Sequence, residues 1–239
     1  MEVVTKGFEL IIFDCDGVLV DSEPIINRAH ARVLTACGYS ITEEALIERF
    51  CGMSDAEMLD IIEREWGRAL PGFYAARVGE MIESGFRQSL APIDSVAEFL
   101  DGLRLPRCVA SSSVPQQIRY KLELTGLLTY FGDNLFSATM VARGKPAPGL
   151  FLYAAEQFRA APTRCLVIED SAAGIDAAVA AGMTAIGFSG GSHCGPAHAA
   201  RLQTHGAKLV TANMRQLAAA LARIAKPSAA AMHAEPTRG

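Results

Sequence analysis

The chain has 239 residues, 26 acidic and 22 basic side chains, a formal charge of -4 and a 50% hydrophobic composition. That length fits one large domain or two small ones, with a core able to fold without disulfide staples or a structural metal. The mildly acidic balance, free of like-charge blocks, argues against a nucleic-acid partner, and no apolar run approaches the roughly eighteen residues of a membrane helix.

The N-terminus carries Glu2 where a signal peptide wants positive charge and has no apolar h-region, so a soluble cytoplasmic protein is expected. The cysteines (Cys15, Cys37, Cys51, Cys108, Cys165 and Cys194) are widely spaced, with no CxxC pair. Cys15, Cys108 and Cys165 fall in or beside predicted strands, where a thiol packs as a small hydrophobe. No disulfide is expected. Nor is zinc, because Cys194 beside His193 lacks a second ligand pair at metal spacing.

Residues 10–13 are apolar throughout and end in Asp14-Cys15-Asp16-Gly17, which predicts a central parallel strand covered on both faces. Val18-Leu19-Val20 is a second short apolar stretch. Asp21-Ser22-Glu23-Pro24 follows, and Ser22 or Asp21 is predicted to cap a helix with Pro24 in its first turn. Ile25, Ile26, Ala29, Val33 and Leu34 recur at helical spacing until Gly38 ends that helix. Another helix starts near Thr42, Ser54-Asp55-Ala56-Glu57 matches a capping box, and Pro71 precedes a last helix over 74–86. Residues 22–88 hold 18 charged side chains in 67, against 30 in the other 172, which suggests a solvated helical insert in a more buried host.

Beyond the insert, strands are predicted at 107–110, 134–137, 164–168, 183–188 and, at an edge, 208–210. Helices alternate with them at 115–124, 150–158, 172–181 and 214–224. Such crossovers imply an α/β fold, a parallel sheet with helices on both faces. Of 39 alanines 25 follow position 150, and small side chains let helices sit close on a sheet. The division is a core of 1–21 and 89–226, an insert of 22–88 and a disordered tail of 227–239.

Ligands of open parallel sheets gather at the carboxyl ends of strands. Asp14/Asp16, Ser111-Ser112-Ser113 and Glu169/Asp170 all follow predicted strands, and Lys145 lies on a loop of the same half. Asp14 and Asp16 share a face on an extended segment and repel unless a proton or cation sits between them. With Asp170 or Glu169 nearby they form an all-oxygen site that suits Mg2+. Gly17 permits a sharp turn after them. Lys145 could neutralise a phosphate, and Ser111 with the amides after it could donate to phosphate oxygens. These are the parts of phosphoryl transfer, in which a carboxylate can also be the nucleophile. Singly, each has a plain alternative: a turn-forming aspartate, a polar loop, a surface lysine. Their joint placement favours a site.

Phe13-Asp14-Cys15-Asp16-Gly17-Val18-Leu19-Val20-Asp21-Ser22-Glu23 resembles the first motif of the haloacid dehalogenase superfamily, in its phosphatase and beta-phosphoglucomutase branch. Val109-Ala110-Ser111-Ser112-Ser113 resembles the second, Lys145-Pro146-Ala147-Pro148 the third, and Ile168-Glu169-Asp170-Ser171-Ala172-Ala173-Gly174-Ile175 the fourth. The resemblance, over about residues 8–220, implies a Rossmann-like three-layer core with a small helical cap at 22–88. It implies that Asp14 attacks phosphorus and becomes an aspartyl-phosphate, while Asp16 protonates the leaving oxygen and then activates water. Asp14, the Asp16 carbonyl, Asp170 and Glu169 would hold Mg2+. Ser111, Ser112 and Lys145 would bind the phosphoryl group.

Ser22, Glu23, Ile26, Asn27 and His30 are expected on the first cap helix facing the core, with Arg49, the Cys51-Gly52-Met53-Ser54 loop and Arg77 as further pocket residues. The two arginines suggest a substrate carrying a carboxylate. The beta-phosphoglucomutases are the rival, but their cap-helix histidine position holds Ile26 here, and Asp55 stands where their loop arginine would be. The implied activity is therefore hydrolysis of a small phosphorylated metabolite: a sugar, sugar-alcohol, sugar-acid or glycolate phosphate. A non-catalytic binding protein would lack catalytic carboxylates, and Asp14, Asp16 and Asp170 are present. A monomer is expected, with a dimer left open.

Overall fold

The computed structural model describes residues 7–50 and 55–224. Its organising element is β1 (Leu10–Phe13), every residue of which is fully buried. Five more strands, β2 (Arg107–Ser111), β3 (Leu135–Ser137), β4 (Cys165–Glu169), β5 (Thr184–Phe188) and β6 (Leu209–Thr211), complete a sheet of order β3-β2-β1-β4-β5-β6. All neighbours pair in parallel, with β1 between β2 and β4. Chain order reverses at β1, which makes its carboxyl end the switch point of the sheet.

The first four helices after β1 are α1 (Glu23–Cys37), α2 (Glu43–Phe50), α3 (Asp55–Trp66) and α4 (Tyr74–Ser89). They enclose their own apolar cluster, which includes Leu34, Leu46, Phe50, Ile62, Tyr74 and Val78. Against one face of the sheet lie α5 (Val96–Gly102), α6 (Pro115–Leu124) and α10 (Met214–Ile224), packed with Ile11 and Phe13. On the other lie α7 (Gly149–Gln157), α8 (Ala172–Ala180) and α9 (His198–Thr204), packed with Leu10 and Ile12. The period-two alternation of β1 thus feeds two cores, and both faces need apolar residues. Ala154, Ala155, Ala177 and Ala178 are essentially fully buried, as the alanine excess suggested.

The strands fall where the apolar runs placed them. The short α5 and α9, seven residues each, were not anticipated: α9 buries only Leu202 and His198 and has no readable apolar period. The expected cap of α1 takes another form. Ser22 makes no cap bond and its hydroxyl turns to Asp16, while Asp21 accepts from the Ser192 amide at 3.0 Å. The loop at 51–54, including Cys51 and the Ser54 part of the capping box, and the tail at 227–239 lie outside the described residues. Among the described residues no helix is long and apolar enough to cross a membrane, and no disulfide forms.

Candidate active site

Asp14 leaves the carboxyl end of β1 with its amide still bonded to the Ile168 carbonyl at 2.9 Å. The chain then turns back on itself, Gly17 N to Val20 O at 2.8 Å. Gly17 has φ +76°, and a Cβ there would lie 1.9 Å from Asp170 Oδ2. Only glycine lets the Asp170 carboxylate close against this turn.

Lys145 reaches the same point from the loop before α7. Its ammonium, 3% exposed, donates to Asp14 Oδ1, to Glu169 Oε1 at 2.5 Å and to the Ala110 carbonyl at 3.0 Å. Burial opposes the Lys145 charge, but Asp14 and Glu169 outweigh it and raise its proton affinity. Asp14 itself is driven well above the usual carboxylate range by burial, Lys145 opposing and Glu169, Asp170 and Asp16 reinforcing the rise. The second Glu169 oxygen accepts from the Ser171 amide and hydroxyl, both at 2.9 Å. Ser171 Oγ in turn caps α8 by accepting from Gly174 N at 3.0 Å. Gly174 is required here, since its Cβ would sit 1.9 Å from the Glu169 carboxyl carbon.

Asp16 has a separate set of partners. Lys121 Nζ donates to its two oxygens at 2.6 and 2.5 Å, Ser22 Oγ at 2.6 Å and Ser113 Oγ at 3.1 Å. Burial alone would raise the Asp16 pKa, but Lys121 and the hydroxyls hold it below the usual carboxylate value. Asp14 and Asp16, two positions apart, are thereby pushed in opposite directions. Ser111 is buried at the end of β2 and its hydroxyl accepts from Ser113 N at 3.1 Å, whereas Ser112 is exposed.

Asp170 meets His193 Nε2 through Oδ2 at 3.0 Å, and its carbonyl meets His198 Nε2 at 2.6 Å. Burial disfavours the His193 cation, but bonds to Asp170 and Cys194 prevail and push its pKa up to about 12. Glu23, at the start of α1, is pushed up to about 7 by burial, with His193 opposing and Asp170 and Asp16 adding to the rise.

The motif residues expected from the sequence, Asp14, Asp16, Lys145, Ser111, Glu169 and Asp170, converge on one sheet edge. Sequence reasoning missed Lys121, the Ser113 contact to Asp16, and His193. Lys121 carried a readable signal: it lies between Ile118 and Leu122 on the buried face of α6, where an unpaired lysine would be costly. His193 is brought in from a loop after β5 and had no local signal.

The four insert helices contribute less than expected. Ser22 and Glu23 join the cluster, and Asn27 Nδ2 braces Glu23 Oε2 at 3.3 Å. Ile26 is half-buried on the same helix. His30 instead faces the insert's own bundle, 2.7 Å from the Tyr74 hydroxyl. Arg49 and Arg77 correct the pocket expectation. Arg49 pairs with Glu65 at 2.6 Å and with the Tyr39 hydroxyl, and Arg77, 62% exposed, pairs with Glu80 at 3.0 Å. Surface carboxylates, Glu65 on α3 and Glu80 one turn along α4, capture the two guanidinia, so they lend no support to a carboxylate-bearing substrate.

The donor chemistry fits a hard divalent cation. Asp14, Asp16, Glu169 and Asp170 crowd together against the buried ammonium groups of Lys145 and Lys121, and a cation relieves both the burial of the Asp14 charge and the carboxylate repulsion that adds to its rise. Carboxylate and carbonyl oxygens suit Mg2+.

The sequence profile of the haloacid dehalogenase-like hydrolases matches residues 8–182, and the chain belongs to that family. It is 32% identical over 193 residues to 6-phosphogluconate phosphatase of Escherichia coli, covering 79% of this chain and 86% of the relative. It is 33% identical over 178 residues to the fructose-1-phosphate phosphatase of the same species, covering 74% and 94%. Among solved structures, a haloacid dehalogenase-like protein of unknown function from Agrobacterium tumefaciens superposes with a TM-score of 0.86 at 41% identity, covering 92% of this chain and all of that one. A family hydrolase from Deinococcus radiodurans with bound phosphate and sodium gives 0.78 at 32% identity, covering 93% and 99%.

Proposed function

We propose that the chain is a cytoplasmic, Mg2+-dependent phosphatase of small phosphorylated metabolites, of the sugar, sugar-alcohol, sugar-acid or glycolate phosphate class, acting through an aspartyl-phosphate on Asp14. The observation that carries this reading is the opposed setting of Asp14 and Asp16 at the carboxyl end of the central strand, the first against Lys145 and the second against Lys121. The phosphatase relatives from Escherichia coli support the substrate class.

Lys145 occupies Asp14 Oδ1, which leaves Oδ2 as the attacking oxygen. The new bond runs from Oδ2 to phosphorus as the phosphorus–ester oxygen bond breaks in line. The departing oxygen takes a proton from Asp16, and water then gives a proton to Asp16 as it displaces phosphate from Asp14. Because Lys121 holds Asp16 ionised, Asp16 donates only after its carboxyl leaves that ammonium and takes up a proton from solvent. The Asp14 and Asp170 carboxylates and the Asp16 carbonyl would hold Mg2+, with Glu169 behind them, and its charge would be neutralising in the transferred phosphoryl group. Lys145 and the Ser111 end of β2 orient that group. Helices α1–α4 act as the cap, excluding bulk water and placing Ser22 and Glu23 over the leaving group.

The test is inorganic phosphate release from a panel of hexose, hexitol, sugar-acid and glycolate phosphates, compared as kcat/KM with Mg2+ and with EDTA. Mg2+-dependent release from at least one member is expected. No release from any, or an isomerised sugar phosphate in place of free phosphate, would overturn the reading.

A further inference from the structure

A second group of metal-ligating side chains lies behind Asp170, outside the carboxylate cluster. His193 and Cys194 come from the loop after β5, and His198 opens α9. The sequence discounted zinc here because Cys194 beside His193 showed no second ligand pair. The fold supplies the missing partner: one ligand atom from each of His193, Cys194 and His198 lies within 4.8 Å of the others.

The orientation of the two rings adds an independent argument. His193 Nε2 is engaged by the Asp170 carboxylate at 3.0 Å and His198 Nε2 by the Asp170 carbonyl at 2.6 Å. Metal-bound imidazoles are held in this way, one nitrogen on a carboxylate or backbone carbonyl and the other on the ion. Nδ1 is therefore the nitrogen His198 would offer, while His193 Nε2 faces both the Asp170 carboxylate and the Cys194 sulfur. Cys194 Sγ lies 3.4 Å from His193 Nε2 and 4.0 Å from its Nδ1, against about 3.5 Å for two ligands on a tetrahedral ion with bonds of about 2.0–2.3 Å. A cation already stands beside His198 Nδ1, the Arg201 guanidinium, with Nη2 at 3.3 Å. The cluster opens into a cavity of about 590 Å³ whose far wall is Glu44, Ile47 and Glu48 of α2, which leaves room for Arg201 to withdraw and for a fourth ligand.

We propose that His193, Cys194 and His198 form a second cation site, for a zinc-class transition metal, joined through His193 to the Asp170 carboxylate. Two imidazoles and a thiolate select zinc, cobalt or a similar borderline ion over Mg2+, which takes oxygen ligands. Binding releases the thiol proton of Cys194 and any proton shared between His193 and Asp170, with no change of oxidation state.

Co2+ titration of the full chain at saturating Mg2+ tests this, with absorption spectroscopy as the readout. One equivalent of Co2+ is expected to produce a thiolate-to-cobalt charge-transfer band and intense four-coordinate d–d bands, both removed by stoichiometric Zn2+. Cys194→Ala, at a half-buried position, should fold and lose the charge-transfer band. His198→Gln should weaken Co2+ binding at least about tenfold. Should His198→Gln perturb the fold, Cys194→Ala decides alone. Absence of the band, its persistence in Cys194→Ala, or unchanged affinity in folded His198→Gln would overturn the proposal.

Discussion

Lys121 Nζ donates to both carboxylate oxygens of Asp16, at 2.6 and 2.5 Å, from a side chain that is 3% exposed. Removing one partner of a buried pair leaves the other charge without compensation. Lys121→Met should cost about 3 kcal/mol at neutral pH, measured by urea unfolding. Asp16 is held below its usual value in the folded state, so the stability it contributes is present above the unfolded value of 3.8 and is lost as pH falls through the folded one. The cost of the substitution should accordingly shrink on acidification. Adding Asp16→Asn should recover part of it. A small, pH-independent loss would contradict the pairing.

Glu23 runs in the opposite direction. Its folded-state pKa of about 7 lies above the 4.5 of the free side chain, so the folded protein binds this proton more tightly than the unfolded chain does. The contribution is full below pH 4.5 and declines as pH rises through 7. Glu23→Gln should cancel that decline and gain up to about 3 kcal/mol over wild type above neutral pH in EDTA. Parallel stability curves for the two proteins between pH 5 and 8 would contradict it.

Gly174→Ala tests the cradle of Glu169. The added methyl would lie 1.9 Å from the Glu169 carboxyl carbon, so that carboxylate and the Lys145 ammonium bound to it must move. A displacement of about 1 Å at a reacting centre costs roughly a hundredfold in rate. We expect kcat to fall by about that factor, and wild-type turnover would show that Glu169 does not set the Lys145 position.

Arg49→Ala and Arg77→Ala should leave KM within about twofold of wild type, because Glu65 and Glu80 already hold the two guanidinia at the surface. A tenfold rise in KM for any anionic substrate would return these arginines to the pocket.

What could be read from the chain alone follows from how local each signal is. Leu10–Phe13 announces a central strand because burial on both faces demands four apolar residues in a row. Asp14, Lys145, Glu169 and Asp170 are legible because each ends or directly follows a strand or sits on a loop of fixed placement. Ser22 misleads: its sequence neighbours predict a cap, yet an aspartate six residues earlier offers its hydroxyl a charged acceptor. Arg49 misleads likewise, since Glu65 is sixteen residues away and comes within 2.6 Å only when α2 and α3 pack. His193 and His198 acquire their roles from Asp170, just past the end of β4, and no spacing in the chain encodes that meeting.

The central claim is that Asp14 carries the phosphoryl group. Acid-quenched turnover of the most active panel substrate, followed by mass spectrometry of the peptide containing Asp14, measures it directly. The account predicts one added phosphoryl group on Asp14 in wild type, greater accumulation in Asp16→Asn, and none with Asp14→Asn, whose turnover should vanish. Phosphate release that survives Asp14→Asn would contradict it.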